Sequence, residues 1–422
     1  MNLQFSKHTL SNGLNVIVKE NHHAQSVVVR GYLHGGANWD TADTAGTAAF
    51  ATGVMRRGTK NRTFTEINET VESVAATVYV NAGRHMVGFG GKSLAEDFSL
   101  LVELMTDNLL CPTFPEQEIE KLRGQIITDL QELDDDPRGL ARRHFRELLY
   151  GPNHPYGRPV DGTLATMPGL NRQHLLDFYR RLHPRDGAIV VVGDVQADAV
   201  CDTLEAALGG WQPAHTPVNS DLPPLQPLTT AVRKNHPMPS KSQTDLVLGS
   251  LGPVRTAPDF YAAYVGDTIL GQLGLGGRIG QSVRDEHGLA YYARSSLQGG
   301  LGPGPWLVYA GVNPGVVEQA VDLILAEITR FRQEPVTAEE LADAKAYLTG
   351  ILPLQMETNE GVAWILLESH IYQLGDDYIA RYPDLINNVT AEAVLAAAQK
   401  YLNDEIFALA VAGPNNQSER SQ

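Results

Sequence analysis

The chain has 422 residues, 43% hydrophobic and 19% charged, which is apolar material enough for two or three packed domains and excludes a disordered polypeptide. Thirty-three Lys and Arg stand against 49 Asp and Glu, a net charge of −16, so phosphate backbones and anionic lipid are repelled and neither nucleic-acid binding nor membrane insertion is expected. Two cysteines, Cys111 and Cys201, lie in no metal-binding spacing and cannot frame a disulfide scaffold; each reads as a small buried hydrophobe.

In chain order, the first fourteen residues hold no apolar signal core, and no apolar run is long enough to cross a bilayer. The expected compartment is the cytoplasm, or the periplasm if a signal has been removed. Gly13 to Lys19, after a Ser-Asn-Gly turn, reads as one arm of a hairpin, and Ser26 to His34 as the next strand. Helical periodicity runs between Ser93 and Glu132, and Ala188 to Gly193 reads as a buried strand. Pro213, Pro217, Pro223, Pro224 and Pro227 mark an extended, semi-rigid linker. Helical periodicity returns between Val316 and Gly350, and a second buried strand follows at Phe407 to Gly413.

The two halves repeat. A helix, a proline break and an acidic helix start occur at Pro112 and Glu116, and again at Pro335 and Glu339. The offset is 223 there (335 minus 112) and 220 between the strand ends (413 minus 193). Near-constant spacing over such a distance predicts two homologous α+β domains, residues 1–212 and 231–422, joined by the linker 213–230.

Familiar catalytic signatures fail. Gly91-Lys92-Ser93 would end a phosphate loop only with glycine at 86, which is Met86, so it reads as a strand-ending turn. The glycine-rich stretch Gly271 to Gly280 does not match GxGxxG and reads as a flexible turn or a substrate-accommodating loop, and no GxSxG is present. None of the 13 histidines has a partner four residues on, the spacing that sets two imidazoles on one helix face around zinc. His144 and Glu147 form HxxE, but Leu148 follows, and the histidines read as surface residues.

Several segments in combination resemble the M16 (pitrilysin or insulinase-like) metallopeptidases, in their short bacterial and mitochondrial-processing-peptidase-like branch. These are Asp134-Asp135-Asp136-Pro137, His154-Pro155-Tyr156-Gly157-Arg158-Pro159, and the block from Phe178-Tyr179 through His183-Pro184 to Val192-Gly193-Asp194-Val195. The resemblance covers essentially the whole chain. It implies an α+β fold of two homologous domains, each a mainly antiparallel sheet packed with helices.

The family's zinc motif, HxxEH, falls on the run Gly46 to Thr59. Its histidines are replaced by Ala49 and Gly53, and its general-base glutamate by Thr52. At the position of the third ligand stands Asp129. A catalytic zinc needs three protein ligands and a carboxylate for the water's proton, so no cofactor is expected in this chain. Gly277 to Tyr291, by contrast, resembles the family's C-domain segment, whose arginine and tyrosine reach a facing zinc site; the matching residues are Arg284 and Tyr291. Taken alone, without the resemblance, Arg284 reads rather as a surface salt bridge and Tyr291 as a core aromatic; the pattern around them favours the functional reading. Asn81 and Ala82 match an edge-strand segment that in the family pairs with bound peptide, while a buried or edge-capping Asn81 is an equally good reading. The resemblance thus implies a non-catalytic, substrate-binding subunit that completes the zinc site of an HxxEH-bearing partner and takes unfolded peptides. A homodimer, or a structural or assembly protein of the same fold without proteolysis, is the alternative.

Overall fold

A computed structural model describes residues 3–212 and 222–414; the first half of the proline-rich linker at 213–230 lies outside the described residues. In chain order the strands are β1 (Ser6–Thr9), β2 (Asn15–Glu20), β3 (Ser26–His34), β4 (Thr77–Ala82), β5 (Met86–Leu94), β6 (Ala188–Gly193), β7 (Val232–Pro237), β8 (Thr244–Leu251), β9 (Ala290–Leu297), β10 (Pro305–Val312) and β11 (Ala408–Gly413). The helices are α1 (Thr47–Met55), α2 (Phe64–Ser73), α3 (Phe98–Leu110), α4 (Glu116–Asp134), α5 (Pro137–Tyr150), α6 (Arg172–Tyr179), α7 (Ala197–Leu208), α8 (Phe260–Gly271), α9 (Gly277–Gly280), α10 (Val317–Gln333), α11 (Ala338–Gln355), α12 (Asn359–Ile371), α13 (Tyr378–Asn387) and α14 (Ala391–Tyr401). Among the described residues no helix is long and apolar enough to cross a membrane.

Two sheets form. The first has the order β1-β2-β6-β3-β5-β4 and the second β7-β11-β8-β10-β9. Apart from β1 the orders superpose strand for strand. In each, one pair is parallel (β2 with β6, β7 with β11) and every other pair antiparallel. The two runs read as buried strands are β6 and β11, each interior to its sheet and buried at all six positions. That is why both are continuously apolar rather than alternating. The architecture is α+β in two domains, mainly antiparallel, as the sequence predicts.

The chain divides into two compact units that exchange helices. The first takes its described residues from Met1–Leu130, Arg158–Pro223 and Leu354–Asp377, and the second from Gln131–Gly157, Pro224–Pro353 and Tyr378–Gln422. In the second unit, α5 packs on β7, β8 and β11 through Leu140, Ala141, His144, Phe145 and Leu149. Pro137 sits at its first turn, where its missing N–H costs nothing, and Asp136 caps it by accepting from the amides of Arg138 (3.1 Å) and Gly139 (3.0 Å). In the first unit, α12 packs on β3 and β6 through Val362, Ala363, Ile365, Leu366 and Leu367. Asn359 ties its start to the sheet, donating to the carbonyl of Ser26 at 3.0 Å and accepting from Asn21 at 2.8 Å. Burying each of the larger aliphatic side chains is worth about 1.5–3 kcal/mol.

Three local expectations change. Gly91 to Ser93 is not a turn but lies within β5; a Cβ on Gly91 would stand 2.0 Å from the carbonyl oxygen of Thr77, so these glycines let strands approach closely. Cys111 and Cys201 are half-buried rather than buried. His144, His154 and His183 are buried rather than on the surface.

Candidate functional site

In the first unit, most of the run matched above to the zinc motif forms α1. Asp40, 6% exposed, reaches back to its N-terminus and accepts from the amides of Gly46 (3.0 Å) and Ala48 (3.2 Å). Burial pushes its carboxyl up to about 7, against the pull of those two amides. Phe50, Ala51, Val54 and Met55 face the core. Ala49 is half-buried and offers no lone pair. Thr52 is buried, with its hydroxyl turned back to donate to the carbonyls of Ala48 and Ala49, both at 3.0 Å. Gly53 faces Leu122 of α4, whose Cδ2 would stand 2.8 Å from a Cβ placed there. Asp129 is exposed on α4. Among the described residues, no three of His, Cys, Asp and Glu are grouped where they could hold a metal ion. This donor set does not fit catalytic zinc.

Asn81 and Ala82 end β4, the last strand of the first sheet, with Asn81 exposed. The last strand of the second sheet, β9, is treated differently. Its Leu297 amide is taken up by the carboxylate of Asp267 at 3.0 Å, which blunts that edge. Asp267 is fully buried on α8 and also accepts from Ser295 (2.6 Å), Trp306 (3.0 Å) and Gln272 (2.5 Å).

The glycine-rich stretch of the second unit is a tight junction between α8 and α9. Gly277 adopts φ +57, and a Cβ there would meet the carbonyl oxygen of Ile269 at 2.3 Å, so only glycine fits. Arg278, 8% exposed, anchors α9 by a two-pronged bond to Glu340 (2.6 and 2.7 Å). The chain then winds into a π-helical turn, Gln281–Glu286, a form rare in proteins and frequent at functional sites. The turn closes with the amide of Gly288 donating to Arg284 (3.0 Å) and that of Leu289 to Val283 (3.0 Å).

Arg284 lies within this turn, and Tyr291 lies beyond it at the start of β9. The Arg284 guanidinium bonds Asp285 at 2.8 Å, which holds it further above its ordinary range. It does form the surface salt bridge that its bare sequence suggests. Tyr291 is 75% exposed and is no core aromatic. In the pairing of β9 with β10, Gly311 faces Tyr292 and Val312 faces Ala290, leaving Tyr291 as the extra residue of a β-bulge. Bulges re-aim side chains and are common beside active sites.

Sequence reasoning missed the neighbours of Tyr291. Tyr292 donates its hydroxyl proton to Asp245, accepts from Arg138 Nε at 3.0 Å, and lies under the Arg138 guanidinium at 4.4 Å. Burial first, and then the bond to Asp245, push its phenol far above the usual range. A cleft of about 340 Å³, lined by Asp136, Arg138, Lys241, Gln243 and Asp245 among others, opens beside this group. The doubled tyrosine at 291–292 and the lone glycine inside a strand at 311 are the sequence signals that point to it.

Known proteins agree with the fold. The protein resembles, over 98% of both chains, the crystal structure of a peptidase M16 inactive domain from Pseudomonas fluorescens (TM-score 0.89, 24% identity). A protease from Helicobacter pylori matches with TM-score 0.88 at 17% identity, covering 98% of this chain and all of the other. In sequence, an uncharacterized zinc protease of Mycobacterium leprae is 27% identical over 412 residues, 96% of this chain and 91% of that protein. One of Streptomyces coelicolor is 25% identical over 422 residues, 98% of this chain and 90% of the relative. Residues 15–163 match the family model for insulinase (peptidase family M16), and residues 169–348 match that for the peptidase M16 inactive domain. With one model following the other along the chain, on a fold shared nearly end to end, the protein belongs to peptidase family M16.

Proposed function

We infer that this chain is the non-catalytic, substrate-binding subunit of a heterodimeric M16 zinc peptidase, and that it contributes Arg284 and Tyr291 to the zinc site of an HxxEH-bearing partner. The observation that carries the reading is an asymmetry. Positions 49, 52 and 53 hold a methyl group, a hydroxyl bonded to its own helix and a hydrogen, while the 277–291 segment keeps the matched residues, braced at Arg278 and open at Tyr291.

Zinc in the partner would supply Lewis-acid activation of the scissile carbonyl. From this side, the Arg284 guanidinium donates to peptide carbonyls. The Tyr291 phenol donates to the oxygen on which negative charge develops, an interaction stronger in the transition state than in the bound peptide. The end of β4, exposed at Asn81, offers main-chain groups there and at Ala82 to an extended peptide, a mode that asks for unfolded substrate and little sequence. A homodimer would lack a zinc site altogether and would bind peptides without cutting them.

The test mixes the purified chain with an HxxEH-bearing M16 homologue and follows cleavage of a fluorogenic peptide. Activity should exceed that of either protein alone, and Tyr291→Phe should lower kcat by about 10²–10³. Wild-type rates from a mixture carrying both Arg284→Ala and Tyr291→Phe would remove the role assigned to them.

A further inference from the structure

We propose that Tyr292 is a positioning residue, gripped by Asp245 and Arg138 across Gly311, and that this grip fixes where Tyr291 points. The inference rests on the role given to Tyr291 above and adds what holds that residue in place.

Tyr291 does not hold itself. It is 75% exposed, and its hydroxyl finds no hydrogen-bond partner among the described residues. Its direction is therefore inherited from the backbone on either side. Upstream, the Gly288 and Leu289 amides are bonded into the π-turn, each at 3.0 Å, and Arg278 pins the helix before it. Downstream, the first residue with a fixed side chain is Tyr292.

The grip spans three strands. Gly311 of β10 faces Tyr292 of β9 on one side and Asp245 of β8 on the other. Because Gly311 has no side chain, the Tyr292 ring can lie across the sheet; a Cβ at 311 would stand 2.5 Å from its Cε1. The phenol thus reaches Asp245 two strands away, while Arg138 of α5 closes over the ring at 4.4 Å and donates to its oxygen at 3.0 Å. A bulge left unpinned is a place where pairing can shift. Pinning the residue directly after the extra one leaves Tyr291 a single outward course.

The test uses the same two-protein assay with Tyr292→Phe, which keeps the ring and loses the hydroxyl, and Asp245→Ala. Each should lower kcat about five- to tenfold, the loss expected for one hydrogen bond, with KM little changed. Asp245→Asn, which keeps an acceptor, should recover most of the rate. Amide exchange at residues 288–292 of the isolated chain should quicken in Tyr292→Phe while exchange in β11 stays as in wild type. The proposal is overturned if Tyr292→Phe and Asp245→Ala leave kcat unchanged while Arg284→Ala and Tyr291→Phe depress it, or if exchange at 288–292 does not change. It also falls if the lost rate merely tracks lost folded protein by thermal melt. Silence from Arg284→Ala and Tyr291→Phe as well would instead sink the underlying reading, and this one with it.

Discussion

Arg284 bonds the carboxylate next to it in sequence, Asp285, at 2.8 Å. A peptide carbonyl that takes this guanidinium must compete with a charged neighbour already in place. Asp285→Asn removes the charge and keeps the shape. In the two-protein assay it should lower KM by roughly two- to fivefold, the scale of a solvent-screened ion pair, with kcat little affected. The effect should shrink as salt is raised. An unchanged KM at low salt would show that Asp285 does not restrain Arg284.

The donor set around α1 makes a prediction about metal. The purified chain, exposed to zinc and desalted, should retain far less than one ion per polypeptide by elemental analysis. EDTA should leave its melting temperature where it was, since a ligand that binds only the folded state raises stability and its removal lowers it. Stoichiometric zinc together with an EDTA-sensitive melt would contradict the reading of positions 49, 52, 53 and 129.

The exchanged helices predict how the chain tolerates cutting. Expressed separately, residues 1–212 lack α12 and residues 231–422 lack α5. The first fragment strips α12 from β3 and β6, and the second strips α5 from β7, β8 and β11. Each should be insoluble or bind a hydrophobic dye. Extending the second fragment to carry Gln131–Gly157 on a flexible tether should restore a cooperative melt. If both simple halves melt cooperatively on their own, the exchange matters less to stability than its packing suggests.

One acid-sensitive contact follows from the docking of α5. His144 Nε2 stands 3.3 Å from His236 Nδ1 on β7, while His144 Nδ1 bonds Glu147 at 3.0 Å. Lys234 (2.9 Å) and Arg143 (3.6 Å) also reach Glu147, and Asp134 acts on His236 from the end of α4. Burial, then the charges of His144 and Lys234, hold the His236 imidazole below its ordinary value. A depressed histidine binds fewer protons folded than unfolded. Its contribution is therefore complete above about pH 6.5 and is lost as the pH falls through that value. Wild-type melting temperature should drop more steeply between pH 7 and pH 5 than that of His236→Gln; parallel slopes would clear His236 of the effect.

How much of this was legible without coordinates depended on whether the signal was local. β3 occupies Ser26–His34, the span its sequence predicts, and β6 and β11 announce themselves as unbroken apolar runs because they are interior strands. That the side chains of Ala49 and Gly53 carry no metal-binding atom follows from residue type alone, since no packing can give them a lone pair. The exchange of α5 and α12 could not. Their amphipathic patterns state that one face is buried, but not against which sheet. Nor could the grip on Tyr292, which joins residues from α5, β8, β9 and β10. His144 was misread for a similar reason, its burial being supplied by β7, about ninety positions away in sequence.

Leu122 leans against Gly53, its Cδ2 within 2.8 Å of where a Cβ would start. A histidine introduced at 53 would have to turn that leucine aside, and Ala49 and Thr52 on the same helix would still offer a metal ion nothing, the one a bare methyl and the other a hydroxyl spent on its own helix carbonyls. No single substitution therefore gives α1 a zinc site, and a gain of metal-dependent activity here would take several coordinated changes.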